Sequence, residues 1–238
     1  LLLCISFIPR YGANGIMISI FLAVSAFCNA GFDILGREGA YASLTNYNGD
    51  LIVMITIMLL IVCGGLGFLV WNDLIAFRKR RKLLLHTKVV LIMTALLILA
   101  GAAVFLLLEW NNEKTLGALP PGQRVTASFF QSVTLRTAGF NSVDVASLNG
   151  MTKIFSIVLM FIGAAPGSTG GGIKVTTFAV LFMTVVSVIK DREETVMMGR
   201  KVDKSVVYKA LTVLATGFLI VTACTCVLYF SHPADLGI

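Results

Sequence analysis

Two apolar segments without a charged residue constrain the fold of this chain most strongly. They cover residues 51–70 and 89–108. Each matches the length of about 20 residues with which an α-helix crosses the roughly 30 Å hydrocarbon core of a bilayer. Because 57% of the residues are hydrophobic, 13% are charged and the mean hydropathy is +0.91, the sequence predicts an all-α polytopic membrane protein.

Charge and cysteine content exclude several other classes of protein. The formal net charge is +7, but the basic residues lie next to the apolar segments, which indicates membrane anchoring and not nucleic-acid binding. The five cysteines lack spaced His or Cys partners, so we predict no metal centre. No catalytic grouping of His, Asp or Glu lies in the apolar segments, and we predict no enzyme. The chain starts without Met inside an apolar run, and we expect a fragment of a longer protein.

Two basic connections set the predicted orientation in the membrane. Residues 77–88 (FRKRRKLLLHTK) contain six Lys or Arg, and residues 190–204 contain five, so the positive-inside rule places both in the cytoplasm. Segments 14–27 and 124–135 then begin and end on the outer side. A helix of a dozen or so residues is roughly 18 to 21 Å long, so each is predicted to enter the membrane halfway and return.

The two re-entrant segments belong to an internal repeat. When FLAVSAFCNAGFD (residues 21–33) is laid over FFQSVTLRTAGFN (residues 129–141), the first Phe and the closing Ala-Gly-Phe coincide. Glycine permits backbone that presents carbonyl oxygens to a dehydrated cation, and the C-terminal dipole of a short helix favours that cation. The alternative, an ordinary turn, is less favoured because the pattern occurs twice in register. The predicted filter backbone consists of Asn29, Ala30, Gly31, Phe32, Thr137, Ala138, Gly139 and Phe140, with the carbonyls of Asn29, Ala30, Thr137 and Ala138 as ligands.

A glycine-rich stretch, FIGAAPGSTGGGIKVT (residues 161–176), interrupts a later apolar segment. It fails as a phosphate-binding loop, because Ile173 precedes the lysine and Val175 replaces the required hydroxyl. As one helix, residues 153–190 would be roughly 57 Å long, so the helix is predicted to break here. We predict that this loop obstructs a conduction path, and that Lys174 reaches a carboxylate or helix end, or snorkels. The predicted gate residues are Gly163, Pro166, Gly167, Ser168, Thr169, Gly170, Gly171, Gly172 and Lys174.

Four motifs in this order resemble the Trk/Ktr/HKT superfamily of potassium transporters. They are SAFCNAGFD (residues 25–33), GGLGF (64–68), TLRTAGFNS (134–142) and GSTGGGIK (167–174). The resemblance implies four helix–pore loop–helix repeats in pseudo-fourfold arrangement, incomplete in this chain. It implies potassium uptake across the plasma membrane, with sodium possible, by a homodimer of the full subunit that docks a cytosolic nucleotide-binding regulatory subunit. It also implies that Arg136 orders the filter; electrostatic capping of the short helix is an equal alternative.

The resemblance also gives boundaries for the parts of the chain. Residues 1–77 are predicted to end repeat two, residues 89–190 to form repeat three, and residues 205–238 to begin repeat four. The predicted parts of repeat two are pore helix 14–27, filter 28–33 and inner helix 51–70. Those of repeat three are outer helix 89–108, pore helix 124–135, filter 136–141 and broken inner helix 153–190 with intramembrane loop 163–172. Cytoplasmic loops are predicted at residues 78–88 and 191–204.

The glycines of inner helix 51–70 have a simpler interpretation than a functional one. Gly64, Gly65 and Gly67 are predicted to let helices approach closely, because small residues are typical of helix contacts in membranes.

Two other functions compete with a potassium pore. A secondary transporter can hold a small solute and a coupling ion in a broken helix. The duplicated re-entrant segment favours a pore over such a transporter. A membrane-bound nucleotide-using enzyme is disfavoured by the missing catalytic grouping.

Overall fold

The computed structural model describes residues 1–36, 38–39, 42–192 and 194–231. It divides into two compact units, Leu1–Thr176 and Thr177–Ile238. The first unit is built of helices, which confirms the predicted all-α class. Its helices are α1 (Leu2–Tyr11), α2 (Asn14–Phe27), α3 (Leu51–Leu66), α4 (Phe68–Arg80), α5 (Leu85–Glu109), α6 (Pro121–Thr134) and α7 (Gly150–Phe161), and α8 (Val175–Ile189) begins at its end.

The second unit contains the rest of α8, a small hairpin and a long helix. Strands β1 (Val196–Met197) and β2 (Arg200–Lys201) pair antiparallel. Met198 and Gly199 have φ of 48° and 79°, the left-handed conformation that a tight hairpin turn requires. The predicted loop 191–204 therefore contains a hairpin. Helix α9 (Lys204–Ser231) covers most of predicted segment 205–238, of which residues 232–238 lie outside the described part.

Helices α5 and α9 are long and apolar enough to span a membrane by themselves. Helices α3 and α4 qualify only as a pair, bent by 92°. Asp50 begins α3 by accepting hydrogen bonds from the amides of Ile52 and Val53, both at 3.2 Å. The prediction of one helix over residues 51–70 is wrong, because Gly67 adopts φ 84° and ψ 151° between the two helices.

The other predicted bounds agree with the structure to within a few residues. Helix α2 has the predicted range 14–27, and α6 starts earlier than predicted because Pro121 suits the first helical position. The predicted loop 78–88 is shorter in the structure, since α4 ends at Arg80 and α5 begins at Leu85. The predicted break in helix 153–190 is present: residues 162–174 separate α7 from α8.

The core of the first unit surrounds the two short helices. Helix α2 packs on α1 and α3, and α6 packs on α3 and α5. Helices α5 and α6 approach closely at Gly101, where an added Cβ would lie 2.2 Å from Ser132 Oγ. The Ser132 hydroxyl donates to the carbonyl of Ile98 at 2.7 Å. Phe130 of α6 and Leu22 of α2 are completely buried, so both short helices are fixed by packing.

A buried carboxylate joins α5 to the helix that leads into the glycine-rich stretch. Glu109 is 0% exposed. Its Oε1 accepts from the Asn149 amide at 2.9 Å and the Thr152 hydroxyl at 2.5 Å. Its Oε2 accepts from Thr115 Oγ1 at 2.7 Å and Asn112 Nδ2 at 2.6 Å. Glu109 therefore caps the start of α7 from a neighbouring helix.

Glu109→Gln is expected to lower the free energy of unfolding by about 1–3 kcal/mol. The new side-chain NH₂ group would face groups that donate hydrogen bonds to Glu109, so buried donors would lose their acceptor. Thermal unfolding of the purified, detergent-solubilised protein measures this loss. The control is Glu113→Gln, since Glu113 is exposed in the same connection. Equal unfolding temperatures for the two variants would contradict the capping role.

Candidate functional site

The two predicted filter segments meet at their glycines. A Cβ added to Gly31 would lie 2.4 Å from the carbonyl oxygen of Ala138 and 2.7 Å from the Cα of Gly139. A Cβ added to Gly139 would lie 3.2 Å from the Cα of Gly31. These separations leave no room for a side chain at Gly31. The contact brings together two segments that lie far apart in the sequence.

The backbone of the two segments follows the same pattern of dihedral angles. Asn29 and Thr137 have φ of 50° and 68°, and Gly31 and Gly139 have φ of 71° and 91°. Asn29 falls on Thr137, and Gly31 on Gly139, in the same alignment that reveals the repeat in the sequence. Both segments therefore leave their short helix by the same turn, which supports the predicted repeat.

Two hydroxyl groups donate hydrogen bonds to the carbonyls of Phe32 and Phe140, the phenylalanines of the predicted filter. The Ser25 hydroxyl donates to the carbonyl of Phe32, and the Thr134 hydroxyl donates to that of Phe140, both at 2.7 Å. Phe140 is completely buried, whereas Phe32 is 70% exposed. Within the described part of the chain, no hydrogen bond is donated to the carbonyls of Asn29, Ala30, Gly31, Thr137, Ala138 or Gly139.

A cavity of about 330 Å³ lies beside these free carbonyls. Its wall includes both filter segments and two side chains of α7, Ser156 and Met160. A water molecule occupies about 30 Å³ of liquid, so the space is large enough for several waters, although much of its wall is apolar. Chemically, the arrangement offers uncharged oxygens to a cation at the C-terminal ends of α2 and α6, where the helix dipoles are negative.

Arg136 is buried beside α3 and borders a different cavity from the one lined by the two predicted filter segments. Its side chain is 6% exposed, and among the described residues its Nε has no hydrogen-bond partner. The guanidinium borders a small cavity with Ile61 and Gly65 of α3. Its charge lies near the C-terminal end of α6, where it is favourable. Ordering of the filter and capping of α6 both remain predictions for this residue.

The glycine-rich stretch forms a loop whose two ends are hydrogen-bonded together. The Gly163 amide donates to Ile173 O at 2.9 Å, and the Ile173 amide donates to Phe161 O at 3.0 Å. The Ala164 amide donates to Gly171 O at 3.2 Å. A Cβ at Gly163 would lie 1.8 Å from that Gly171 oxygen. The ladder keeps the end of α7 beside the start of α8.

The middle of the loop pairs with the break between α3 and α4. At a helix break the backbone groups lose their partners inside the helix, and in a membrane they require others. The backbone of the loop and the backbone at the break act as hydrogen-bond partners for each other. The bonds run from Ala165 N to Gly65 O at 3.0 Å, from Thr169 N to Gly64 O at 3.3 Å and from Phe68 N to Gly167 O at 3.0 Å.

The loop also contacts both predicted pore segments. Thr169 Oγ1 donates to the carbonyl of Phe27, the last residue of α2, at 2.9 Å. The Gly171 amide donates to Thr137 Oγ1 at 2.9 Å. A Cβ at Gly170 would lie 2.9 Å from the same Thr137 oxygen. The loop therefore lies directly against the two predicted filter segments.

The remaining polar groups of the loop bond within it. Ser168 Oγ donates to Ala165 O at 2.6 Å, and Lys174 Nζ donates to Gly170 O at 2.8 Å. The sequence predicts that Lys174 reaches a carboxylate or helix end, or snorkels. In the structure its ammonium donates instead to the carbonyl of Gly170, four residues earlier in the same loop. Gly167 and Gly172 have φ of 68° and 72°, which explains glycine at these positions.

Sequence reasoning missed the partner of the loop. Gly64 and Gly67 are predicted only to let helices approach, and both do lie against backbone. A Cβ at Gly64 would be 1.9 Å from Phe27 O, and one at Gly67 would be 2.6 Å from Pro166 O. The motif GGLGF was therefore the available signal for the break between α3 and α4, since glycine readily adopts the positive φ found at Gly67.

Known proteins resemble this chain over nearly its whole length. The chain is 40% identical over 222 residues to the Ktr system potassium uptake protein B of Bacillus subtilis, covering 93% of this chain and 49% of that protein. It is 41% identical over 211 residues to the potassium/sodium uptake protein NtpJ of Enterococcus hirae, covering 88% and 46%. The chain thus spans about half the length of these relatives.

A solved structure and a family model agree with this likeness. The crystal structure of the potassium transporter TrkH from Vibrio parahaemolyticus superposes with a TM-score of 0.65 at 18% identity, covering 96% of this chain and 55% of that one. At this identity the match supports the fold alone. The model of the TrkH family, described as cation transport proteins, matches residues 4–236. The predictions of the superfamily and of a non-enzyme are confirmed, and the chain belongs to the TrkH family of cation transport proteins.

Proposed function

We propose that this chain is part of a membrane subunit that takes up potassium across the plasma membrane. Potassium passes a filter that includes the backbone of residues 28–33 and 136–141, and the loop 163–172 gates the path below it. The proposal extends the activities named for the Bacillus subtilis and Enterococcus hirae relatives to the longer protein.

The meeting of the two segments at Gly31 and Gly139 carries the proposal. Two stretches with the same pattern of φ angles converge in backbone contact and leave six carbonyls without donors in the described residues. A potassium ion that loses its hydration shell requires such a set of oxygens. The two remaining repeats of the full subunit are proposed to complete the ring.

The contacts of the loop support its role as a gate. It lies against the ends of both pore segments through Thr169 and Gly171. It is held by backbone bonds to the α3–α4 break and not by a continuous helix. Such a segment can leave its position without unfolding the helices on either side.

The names of two relatives bear on partners and on a second ion. The Bacillus subtilis protein is named as part of a Ktr system, which supports a membrane subunit that works with other proteins. We propose that these are a second copy of the full subunit and a cytosolic nucleotide-binding regulatory subunit. The Enterococcus hirae protein is named for potassium and sodium, which supports sodium as a second ion. The basic residues of segments 77–88 and 190–204 are proposed to face the cytoplasm.

Expression of the full-length subunit in a bacterium that lacks potassium uptake tests the proposal. Growth at low potassium and rubidium influx are both expected to be restored. Gly139→Ser is expected to reduce selection for potassium over sodium by about tenfold, because φ of 91° and the nearby Gly31 backbone strain any side chain there.

Gly122→Ser is the control, since a Cβ at this position of α6 meets no atom within 4 Å. It is expected to keep the selectivity of the unmodified protein. Unchanged selectivity in Gly139→Ser, with protein present in the membrane, would remove the filter assignment. Failure to restore growth or influx would remove potassium uptake itself.

A further inference from the structure

Thr137 has a backbone conformation that is unfavourable for threonine. Its φ is 68°, in the left-handed region where a β-branched residue is a clear outlier. The equivalent residue of the other segment is Asn29, with φ of 50°, and asparagine tolerates this region well. The backbone turn alone therefore does not explain threonine at position 137.

Both equivalent side chains lie next to Gly170 of the loop, each 2.9 Å from the place of an added Cβ, but they make different hydrogen bonds. Oriented to satisfy its neighbours, the Asn29 amide donates to Ala26 O at 3.1 Å and to Ile61 O at 3.2 Å. It thus fastens the first segment to α2 and α3. The Thr137 hydroxyl instead accepts the amide of Gly171 at 2.9 Å. This is a direct bond between a filter side chain and the backbone of the loop.

The bond lies where the loop packs closely on itself and on the filter segment. The carbonyl of Gly171 already accepts from the Ala164 amide at 3.2 Å. A Cβ at Gly170 would lie 2.9 Å from Thr137 Oγ1 and 2.5 Å from the Cβ of Ala164, so no larger residue fits between filter and loop. The hydroxyl of Thr137 is therefore in close contact with the part of the loop that faces the filter.

We propose that Thr137 latches the gate loop to the selectivity filter and thereby stabilises the closed loop. This proposal rests on the proposed function of the loop as a gate. When the loop moves away, the Thr137 hydroxyl loses the hydrogen bond from the Gly171 amide. Thr137 then keeps its unfavourable φ in the filter without the bond that stabilised it. Loop position and filter geometry are then coupled through one side chain. The side chain of Thr137 has a positioning role, since it acts on the ion path through the loop, whereas its carbonyl belongs to the predicted filter.

The test is rubidium influx through the full-length subunit with Thr137→Val and Thr137→Ser. Valine keeps the β-branched shape and removes the acceptor, and influx is expected to rise about three- to tenfold, the effect of one hydrogen bond on an equilibrium. Serine keeps the hydroxyl that accepts from Gly171, so its influx is expected to be lower than that of Thr137→Val. Thr126→Val is the control, because Thr126 of α6 bonds only the Gly122 carbonyl of its own helix among the described residues, at 3.4 Å.

A second background separates the latch from a direct effect on the filter. Thr137→Val is combined with deletion of residues 167–171, which removes Gly171. If Thr137 acts through the loop, valine adds no further influx there. An equal rise in both backgrounds, a serine variant that matches the valine variant, or unchanged influx in Thr137→Val overturns the latch. If Thr137→Val does not reach the membrane, Thr137→Cys replaces it, since a thiol is a weak acceptor.

The same set of variants distinguishes failure of the latch from failure of the gate. A deletion that raises influx, together with a silent Thr137→Val, overturns the latch alone. A deletion that leaves influx unchanged in a protein that still transports overturns the gate, and the latch with it.

Discussion

Replacing Gly64 by alanine is expected to prevent folding and therefore to abolish ion uptake by the full-length subunit. In an ordinary helix this change stabilises by about 0.5–1 kcal/mol. Here the added Cβ would lie 1.9 Å from the carbonyl oxygen of Phe27 and 2.8 Å from Thr169 Oγ1. The first neighbour is backbone at the end of α2 and cannot rotate away, so α2, α3 and the loop must separate. We expect a loss of several times the roughly 1–3 kcal/mol typical of core overpacking.

The adjacent glycine provides a matched control. A Cβ at Gly65 would meet Asn29 Nδ2 at 3.5 Å and Ala164 Cβ at 3.7 Å, which are ordinary contacts. Gly65→Ala is therefore expected to fold and to transport. The amount of monodisperse protein after solubilisation, its unfolding temperature and rubidium influx measure both variants. Equal behaviour of Gly64→Ala and Gly65→Ala would show that α3 does not approach α2 as closely as described.

Deleting residues 167–171 is expected to raise rubidium influx at least tenfold. The deletion removes both contacts to the pore segments, through Thr169 and Gly171, and two of the three backbone bonds to the α3–α4 break. At about 0.5–1.5 kcal/mol for each bond, these contacts favour the closed loop by several kcal/mol. The ends of α7 and α8 remain joined by the bonds of Gly163 and Ile173, so a shortened connection is compatible with the fold.

Two point substitutions test the same idea with less disturbance. Gly163→Ala puts a Cβ 1.8 Å from Gly171 O, whereas a Cβ at Gly171 meets nothing within 4 Å. Gly163→Ala is expected to open the ladder at the base of the loop and to raise influx, and Gly171→Ala to leave it unchanged. A deletion variant that is well folded but has unchanged or abolished influx would count against a gate at this position.

The sequence predicted helix positions correctly where the length of an apolar segment and the charges beside it allow few arrangements in a membrane. Segment 14–27 is bounded by polar residues and too short to cross, and α2 has this range. Residues 153–190 are too long for one crossing and contain Pro166, and the structure breaks there. In contrast, residues 51–70 have the pattern of a continuous span, and the bend of 92° at Gly67 was missed. Glycine in an apolar segment is equally compatible with close packing and with a break.

The repeat shows the same division between sequence and tertiary structure. Aligning residues 21–33 with residues 129–141 located two segments with matching positive φ angles and the glycines at their centre, because a backbone turn with positive φ restricts residue type at single positions. The alignment did not explain the difference between Asn29 and Thr137, whose side chains bond α2 and α3 in one case and the loop in the other. Two equivalent positions in a repeat have different neighbours.

By itself the sequence determined a helical membrane protein, two short helices followed by matching turns, and a break between residues 153 and 190, since hydrophobic length, charge and glycine act locally. Only the tertiary structure decided what satisfies the broken backbone. Gly64 and Thr169 belong to different repeats, and their hydrogen bond at 3.3 Å depends on folding that brings two breaks together. Polar backbone at membrane depth must find a partner, and the sequence contains that requirement without identifying the residue that meets it.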